Sequence, residues 1–461
     1  MKKKRTYRAE SVEQVRVAEV IPLLVAGCIV ALDVAKAKFV VSLATWAGQV
    51  LKLFRFEHPT ETRQFLSVVD ALVDEVGLEK VRVVMEPTGT YGDAIRYQLG
   101  QRGVSVHAVS PKRTHDSREV FDGVPSMHDP KSALLIAKLS SMDLSREWKT
   151  DSEAQRCLRA LTELRRQAQE RRELSFSRLE GLLARHWPEY SRWFDLRAQK
   201  TAARVLIEYQ GPAKLRANEE HAMEFLRSAS RRQLSVECIS GVIADARTSL
   251  GVPMLPAEER LVRSLAERGL ESTEEIEMLD REIAEAGEGD EVFARLAALM
   301  GTYTAAVLVR CDVLRCESPR QLEKAFGLNL REKSSGEHRG RHSITKRGPG
   351  VARQVVYLFA LRMIKTCPIA RAWYERRRGY SEGSKTSAVV ALMRKLVRAL
   401  FHVARGASFD PQKLFDVRRL DLDASADEAS PTTVPVTTKR RTEPRSIVGR
   451  KRGGGAQRAS T

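Results

Sequence analysis

The stretch from Gly27 to Val109 constrains the fold more than any other part of the chain, because the period of its apolar residues changes repeatedly along it. Cys28-Ile-Val-Ala-Leu-Asp33, Lys38-Phe-Val-Val-Ser-Leu43 and Val50-Leu-Lys-Leu-Phe-Arg-Phe56 are short β-rich runs with short links, and they predict three strands in a meander. From Glu61 to Val76 the apolar residues Phe65, Leu66, Val69, Leu72, Val73 and Val76 fall on one helical face. A strand at Val81 to Glu86, a helix from about Tyr91 to Arg102, a strand at Val104 to Val109 and a helix beginning at Asp129 complete the series.

The order βββαβαβα is the layout of the α/β ribonuclease H-like fold, expected here over residues 27–150. Asp151 to Arg185 is charged and apolar at helical spacing (Leu158, Leu161, Leu164, Leu174, Leu179, Leu182), and helical segments continue to Glu285. Residues 151–290 therefore read as a helical insert with coiled-coil character, a spacer or oligomerisation arm. Composition shifts at Gly287-Glu-Gly-Asp290, after which residues 291–407 form an α-rich C-terminal domain. Residues 1–26 are expected as a basic N-terminal arm, and residues 408–461 as a linker and disordered basic tail.

Charge sharpens this picture. The formal net charge of the 461 residues is +19, and it is unevenly placed. Residues 1–8 contribute +5, residues 439–461 +7 and residues 331–398 +13, so the rest of the chain is net acidic. A surface that meets polyphosphate has this footprint. The longest apolar run, Val20 to Leu32, has 13 residues and is too short to span a membrane. With no secretory signal legible, the expected location is the cytoplasm. Six cysteines without a C-x-x-C pair, and only His338 and His342 spaced four apart, argue against a zinc site or disulfide framework.

Three carboxylates stand where strands or helices end. Asp33 closes the first apolar strand, a place where a charge has no stabilising reason to sit unless it faces solvent or a ligand. Glu86 closes the fourth strand and is held extended by Pro87. Asp129 precedes Pro130, a pair that equally suits helix capping. In a ribonuclease H-like sheet the first and fourth strands are neighbours and a later helix crosses their end, so the three acids would converge. Their mutual repulsion is relieved by divalent cations, and oxygen ligands of this kind select Mg²⁺ or Mn²⁺.

The second constellation is the basic loop from Gly327 to Gly350, in which Ser334 and Ser335 abut Gly336. Arg331, Lys333, Arg339, Arg341, Lys346, Arg347 and Arg353 are its candidate nucleic-acid contacts. The serines suit either of two roles, hydrogen bonding to backbone phosphate or nucleophilic attack, and the second needs activation from outside the loop.

Ala31-Leu-Asp-Val-Ala-Lys36, Val84-Met-Glu-Pro-Thr-Gly89, His128-Asp-Pro-Lys-Ser-Ala133 and the segment from Ser335-Gly336 to Lys346-Arg-Gly348 occur in order in two regions. In these motifs the chain resembles the DEDD transposases, the insertion-sequence class related to the DNA invertase Piv, over about residues 27–143 and 291–405. The resemblance implies a RuvC-like N-terminal domain whose acids Asp33, Glu86 and Asp129 hold Mg²⁺. It also implies a C-terminal domain in which Ser335 attacks a DNA phosphate to form a phosphoserine intermediate. DNA as partner, a homo-oligomer (dimer or tetramer) with shared active sites and, as in some members, a structured guide RNA are further implications. The family's fourth acid falls three residues after Asp129, where this chain has Ser132, and Asp116 and Asp122 are the nearest acids that could replace it. Two rival readings stand beside this one: a RuvC-type nuclease using water, and a nucleic-acid-binding protein without catalysis.

Overall fold

The apolar runs of the N-terminal third form one mixed sheet in the computed structural model, which describes residues 8–120, 122–148, 150–332, 342–380 and 385–420. The chain divides into two units, Met1–Ser152 and Glu153–Thr461. In the first, the strands are β1 (Glu10–Ser11), β2 (Cys28–Asp33), β3 (Lys38–Thr45), β4 (Val50–Glu57), β5 (Val81–Met85), β6 (Ser105–Val109) and β7 (Ser145–Glu147). Their spatial order is β1-β4-β3-β2-β5-β6-β7. β3 is antiparallel to both β2 and β4, β5 is parallel to β2 and to β6, and β7 closes the far edge antiparallel. Parallel neighbours need crossovers, supplied by α1 (Thr62–Val76) and α2 (Asp93–Gln101); α3 (Pro111–Asp116) and α4 (Asp129–Ser141) follow β6.

Strand alternation separates two cores. Cys28, Val30 and Leu32 of β2 pack with Phe65, Leu72, Ile95 and Leu99, whereas Ile29 and Ala31 pack with Leu135, Ile136 and Leu139 of α4. Because both faces of β2 are covered, its sequence is apolar without interruption until Asp33.

The expected arm of residues 1–26 is corrected from residue 8 onward. β1 pairs with β4, and Val12, Val20 and Leu24 are buried in the core on the α1 face. The apolar side chains between the charges of this segment give it a reason to dock that net charge conceals.

The second unit begins with α5 (Glu153–His186), followed by α6 (Lys200–Tyr209), α7 (Pro212–Ala217), α8 (Glu219–Ala229), α9 (Val236–Arg247) and α10 (Pro256–Ala286). Ion pairs Arg165–Asp280, Arg171–Glu275 and Arg185–Glu258 run in opposite sequence directions, so α5 and α10 are antiparallel. The 34 residues of α5 make a rod about 50 Å long. At one end Leu179 and Leu265 join Trp187, Tyr190, Leu206 and Leu226 in a core. At the other, Leu158 and Ile283 join a core that includes Leu308, Phe326, Phe359, Leu396 and Phe415. The expected boundary at 290/291 is thus not a break in packing: the base of the long helix pair belongs to the C-terminal core.

That core is built from α11 (Glu291–Met300), α12 (Thr302–Arg310), α13 (Pro319–Ala325), α14 (Gly350–Thr366), α15 (Pro368–Tyr380), α16 (Lys385–Val403) and α17 (Pro411–Leu414). A short hairpin, β8 (Leu330–Arg331) with β9 (Ser343–Ile344), interrupts the helices. The buried Glu323 of α13 is held by Arg394 Nε at 2.6 Å and Arg398 Nε at 2.7 Å, which fixes α13 against α16. Among the described residues no helix is long and apolar enough to cross a membrane.

Candidate metal centre and basic loop

The register of two parallel strands sets the first part of the site. Leu32 of β2 lies opposite Met85 of β5, so the next residues, Asp33 and Glu86, end their strands side by side. Alternation puts Asp33 on the face of Ile29 and Ala31, and Glu86 on the face of Val84, the face on which α4 packs. Asp129 is the first residue of α4. Asp33 and Glu86 are half-buried, and Asp129 is exposed.

These acids feel one another. The Asp33 carboxyl is pushed up to about 7, first by burial, then by the charge of Asp129 and then of Glu86, partly offset by a hydrogen bond from the Val34 backbone. Among the described residues no three His, Cys, Asp or Glu side chains stand close enough to hold one ion together. The trio is therefore an open electrostatic cluster, but its donor chemistry, carboxylate oxygen throughout, fits a hard divalent cation. Positive charge there would lower the repulsion that raises Asp33.

Asp129 does not cap α4. The cap is His128, whose Nδ1 accepts the Lys131 backbone N–H at 3.2 Å, which leaves the Asp129 carboxylate in the first turn. A carboxylate there is favoured by the helix dipole. Beside it Lys131 is buried, and its Nζ donates to Asp122 Oδ1 at 2.8 Å, Val124 O at 2.6 Å and Ser126 O at 3.1 Å. These three bonds tie the loop before α4 to its first turn. Asp122 is thus engaged by a cation, and exposed Asp116 pairs with Lys112 at 2.8 Å. Ser132 is partly buried one position beyond Lys131. Neither His128 nor Lys131 stood out in the sequence; a lysine in a helix's first turn ordinarily reads as solvated.

Ser335, with Lys333, Arg339 and Arg341, lies outside the described residues. The base of its loop is described. Lys346 N donates to Gly327 O at 2.9 Å, Thr345 N to Asn329 O at 2.9 Å, and Thr345 Oγ1 to Asn329 Oδ1 at 2.6 Å. Gly327 and Gly348 let two backbones meet: a Cβ on Gly327 would stand 2.5 Å from Arg347 N, and one on Gly348 2.1 Å from Ala325 O. Lys346 and Arg347 are exposed at the foot of the loop, and Arg331 Nε donates to Ser343 Oγ at 3.1 Å. Arg353 serves the stem, its Nη1 donating to Gly348 O at 2.8 Å and Phe326 O at 3.2 Å.

Two family models match the chain. One, for IS110-type DEDD proteins and described as a transposase, matches residues 30–188; the other, described as the transposase IS116/IS110/IS902 family, matches residues 295–375. Together they take in just over half of the sequence. The chain is also similar to the "Insertion element IS116 uncharacterized 44.8 kDa protein" of Streptomyces clavuligerus. The two are 26% identical over 366 residues, which cover 77% of this chain and 89% of that relative. Asp33, Glu86 and Asp129 fall in the first matched stretch and Ser335 in the second.

Proposed function

We propose that this chain, which belongs to the insertion-sequence transposases of the IS116/IS110/IS902 family, breaks and rejoins DNA phosphodiester bonds, with Asp33, Glu86 and Asp129 binding metal and Ser335 as the nucleophile. The observation that carries this is the raised carboxyl of Asp33, lifted first by burial and then by the charges of Asp129 and Glu86. Carboxylates gathered against their own repulsion at the end of an apolar sheet weaken the fold, and such perturbed groups cluster at functional sites. A ribonuclease H-like reading of the sheet is supported by the order β4-β3-β2-β5-β6, with only the middle strand of the meander reversed. In this reading DNA is the substrate, Mg²⁺ or Mn²⁺ the cofactor and the working form a homo-oligomer, with a structured RNA as guide in some members of the class the chain resembles.

Asp33, Glu86 and Asp129 are the residues that would hold the ion. A divalent cation there supplies positive charge against phosphate oxygens and the departing oxygen. Arg331, Lys346 and Arg347 hold backbone phosphates at the foot of the loop. The Ser335 hydroxyl oxygen bonds to phosphorus, the ester bond to one DNA strand breaks, and the serine proton passes by way of solvent to the departing strand oxygen. Attack by a hydroxyl of the receiving strand then restores a phosphodiester and returns the proton to serine.

The test is strand cleavage of a cognate junction with Mg²⁺, alongside DNA affinity. Asp33→Asn, Glu86→Gln and Asp129→Asn should each abolish cleavage and leave affinity within a few-fold. Cleavage that survives Ser335→Ala would identify a water-using nuclease, and a wild type that binds without cutting would identify a non-catalytic binder.

A further inference from the structure

A cavity of about 190 Å³ lies in the second unit where α5, α10 and the turn leading into α6 meet. Part of its wall is apolar, formed by Phe176, Leu196, Ala203 and Ile276, all of them buried. Gly269 sets the position of that wall: having no Cβ, it lets the Phe176 ring rest against the backbone of α10, where a Cβ would overlap Phe176 Cε1. An apolar cavity of roughly 150 Å³ is enough to hold benzene, so this one has room for a single ring or a branched aliphatic body. It falls below the roughly 300–1,000 Å³ of sites that take larger ligands, which excludes a nucleotide.

The polar part of the wall carries Arg172, Arg197, Lys200 and Glu277, and most of its charge is answered within the protein. Lys200 Nζ donates to Glu277 Oε2 at 2.6 Å, and Arg197 pairs with Glu180 and, through Nε at 2.9 Å, with Glu173. Arg172 reaches Glu173 as well, Nη2 donating to Oε1 at 3.0 Å, and Gln169 Nε2 donates to the same oxygen at 2.7 Å. Both oxygens of Glu173 are thus taken. Among the described residues Nη2 is the one guanidinium nitrogen of Arg172 with an acceptor, and its Nε is buried without one. A donor left so is costly, and more so on a charged group.

We infer that this cavity binds a small carboxylate with an apolar body, its carboxylate on the Arg172 guanidinium and its body against Phe176, Leu196 and Ile276. A carboxylate matches the fork of a guanidinium, and the bond is stronger than one to a neutral acceptor because both partners are charged. The apolar wall then rewards a body that water would solvate poorly. Such a ligand would touch α5, α10 and the turn before α6 together and so brace the long helix pair. The site is made from residues outside both the three acids and the serine loop, and its occupancy does not depend on DNA.

The full chain is titrated calorimetrically with benzoate at fixed ionic strength, with acetate as the probe of the charge alone and benzyl alcohol as the probe of the body alone. Benzoate should bind at one site per chain, and each partial probe at least about tenfold more weakly. Arg172→Met keeps the aliphatic stem and removes the guanidinium, and should weaken benzoate by about 10- to 100-fold, the range of a lost hydrogen bond to a charged group. Ala203→Leu fills the cavity and should abolish benzoate binding; circular dichroism melting shows that each variant is folded. The inference is overturned if the wild type takes up no benzoate, if acetate or benzyl alcohol binds as tightly as benzoate, or if either folded variant binds benzoate like the wild type. The three-probe comparison on the wild type decides the matter even where a variant fails to fold.

Discussion

Asp33 and Glu86 end two parallel neighbouring strands at the same level and on the same face, so the charge of one is part of the environment of the other. Burial first, and then the charges of Asp129 and Glu86, hold the Asp33 carboxyl near 7, against an ordinary value of 3.8. A raised carboxylate pKa means that the folded state keeps its proton where the unfolded chain has lost it. Stability from this group is therefore full below about pH 4, falls as pH rises toward 7, and stays low above that. Asp33→Asn removes the penalty and should raise the melting temperature of the metal-free protein at pH 8 and leave it nearly unchanged at pH 4. The gain is bounded by about 4 kcal/mol, the worth of the whole shift. Equal shifts at both pH values would show that Asp33 does not titrate in this way.

Lys131 is expected to matter more for stability than any of the three acids. Its ammonium is buried and serves one carboxylate and two carbonyls, all of which lose this donor in Lys131→Met. Removing one side of a buried pair costs about 3–5 kcal/mol, whereas losing the Asp129 charge from the first turn of α4 costs about 0.3–1 kcal/mol. Urea denaturation of Lys131→Met and Asp129→Asn side by side measures both. A Lys131→Met variant as stable as the wild type would mean that the loop before α4 is not anchored through it.

Ser132 tests where the family's fourth acid belongs. It follows Lys131 in α4 and shares the i, i+3 relation with Asp129. Ser132→Asp adds an anion to the cluster, so it should tighten Mg²⁺ binding about tenfold or more, and in the absence of metal it should raise the Asp33 pKa further. Isothermal titration with Mg²⁺ and a melting curve read together decide the matter. An unchanged Mg²⁺ affinity with an unchanged melting temperature would remove residue 132 from the site.

Gly348 should separate the loop from the acids. With φ at +145° and Ala325 O within 2.1 Å of where a Cβ would go, Gly348→Ala must displace the stem that carries residues 333–341. Strain of about 1–3 kcal/mol is expected. Cleavage should fall sharply while Mg²⁺ binding stays at the wild-type level, because the acids belong to the other unit. Loss of Mg²⁺ binding in this variant would contradict a metal site built from the first unit.

Much of the first unit was legible because its long elements have clean periods. The three meander strands, α1 and the start of α4 at Asp129 were expected within one or two residues of where they stand. What escaped was short or relational. β1 and β7 have two and three residues, too few for alternation to register, and the apolar residues that dock the N-terminal segment are spaced irregularly among charges. That Asp33 and Glu86 would be neighbours was expected from the ribonuclease H-like layout and not from any local pattern, since no local pattern encodes strand order. His128 as cap and Lys131 as anchor depend on how the preceding loop folds back. The serine loop was legible as chemistry, by its serines, glycines and cations, and its tip lies outside the described residues.

The central proposal is that Asp33, Glu86 and Asp129 bind metal and that Ser335 is the nucleophile of a phosphoryl transfer, and trapping the protein on its DNA tests it most directly. Wild-type protein is incubated with Mg²⁺ and a junction carrying a labelled strand, denatured, and resolved for label that migrates with the polypeptide. The expected result is a covalent adduct that maps to Ser335 by peptide mass, needs Mg²⁺, and is absent in both Ser335→Ala and Asp33→Asn. Cleaved DNA with no adduct, or an adduct that persists in Ser335→Ala, would contradict the account.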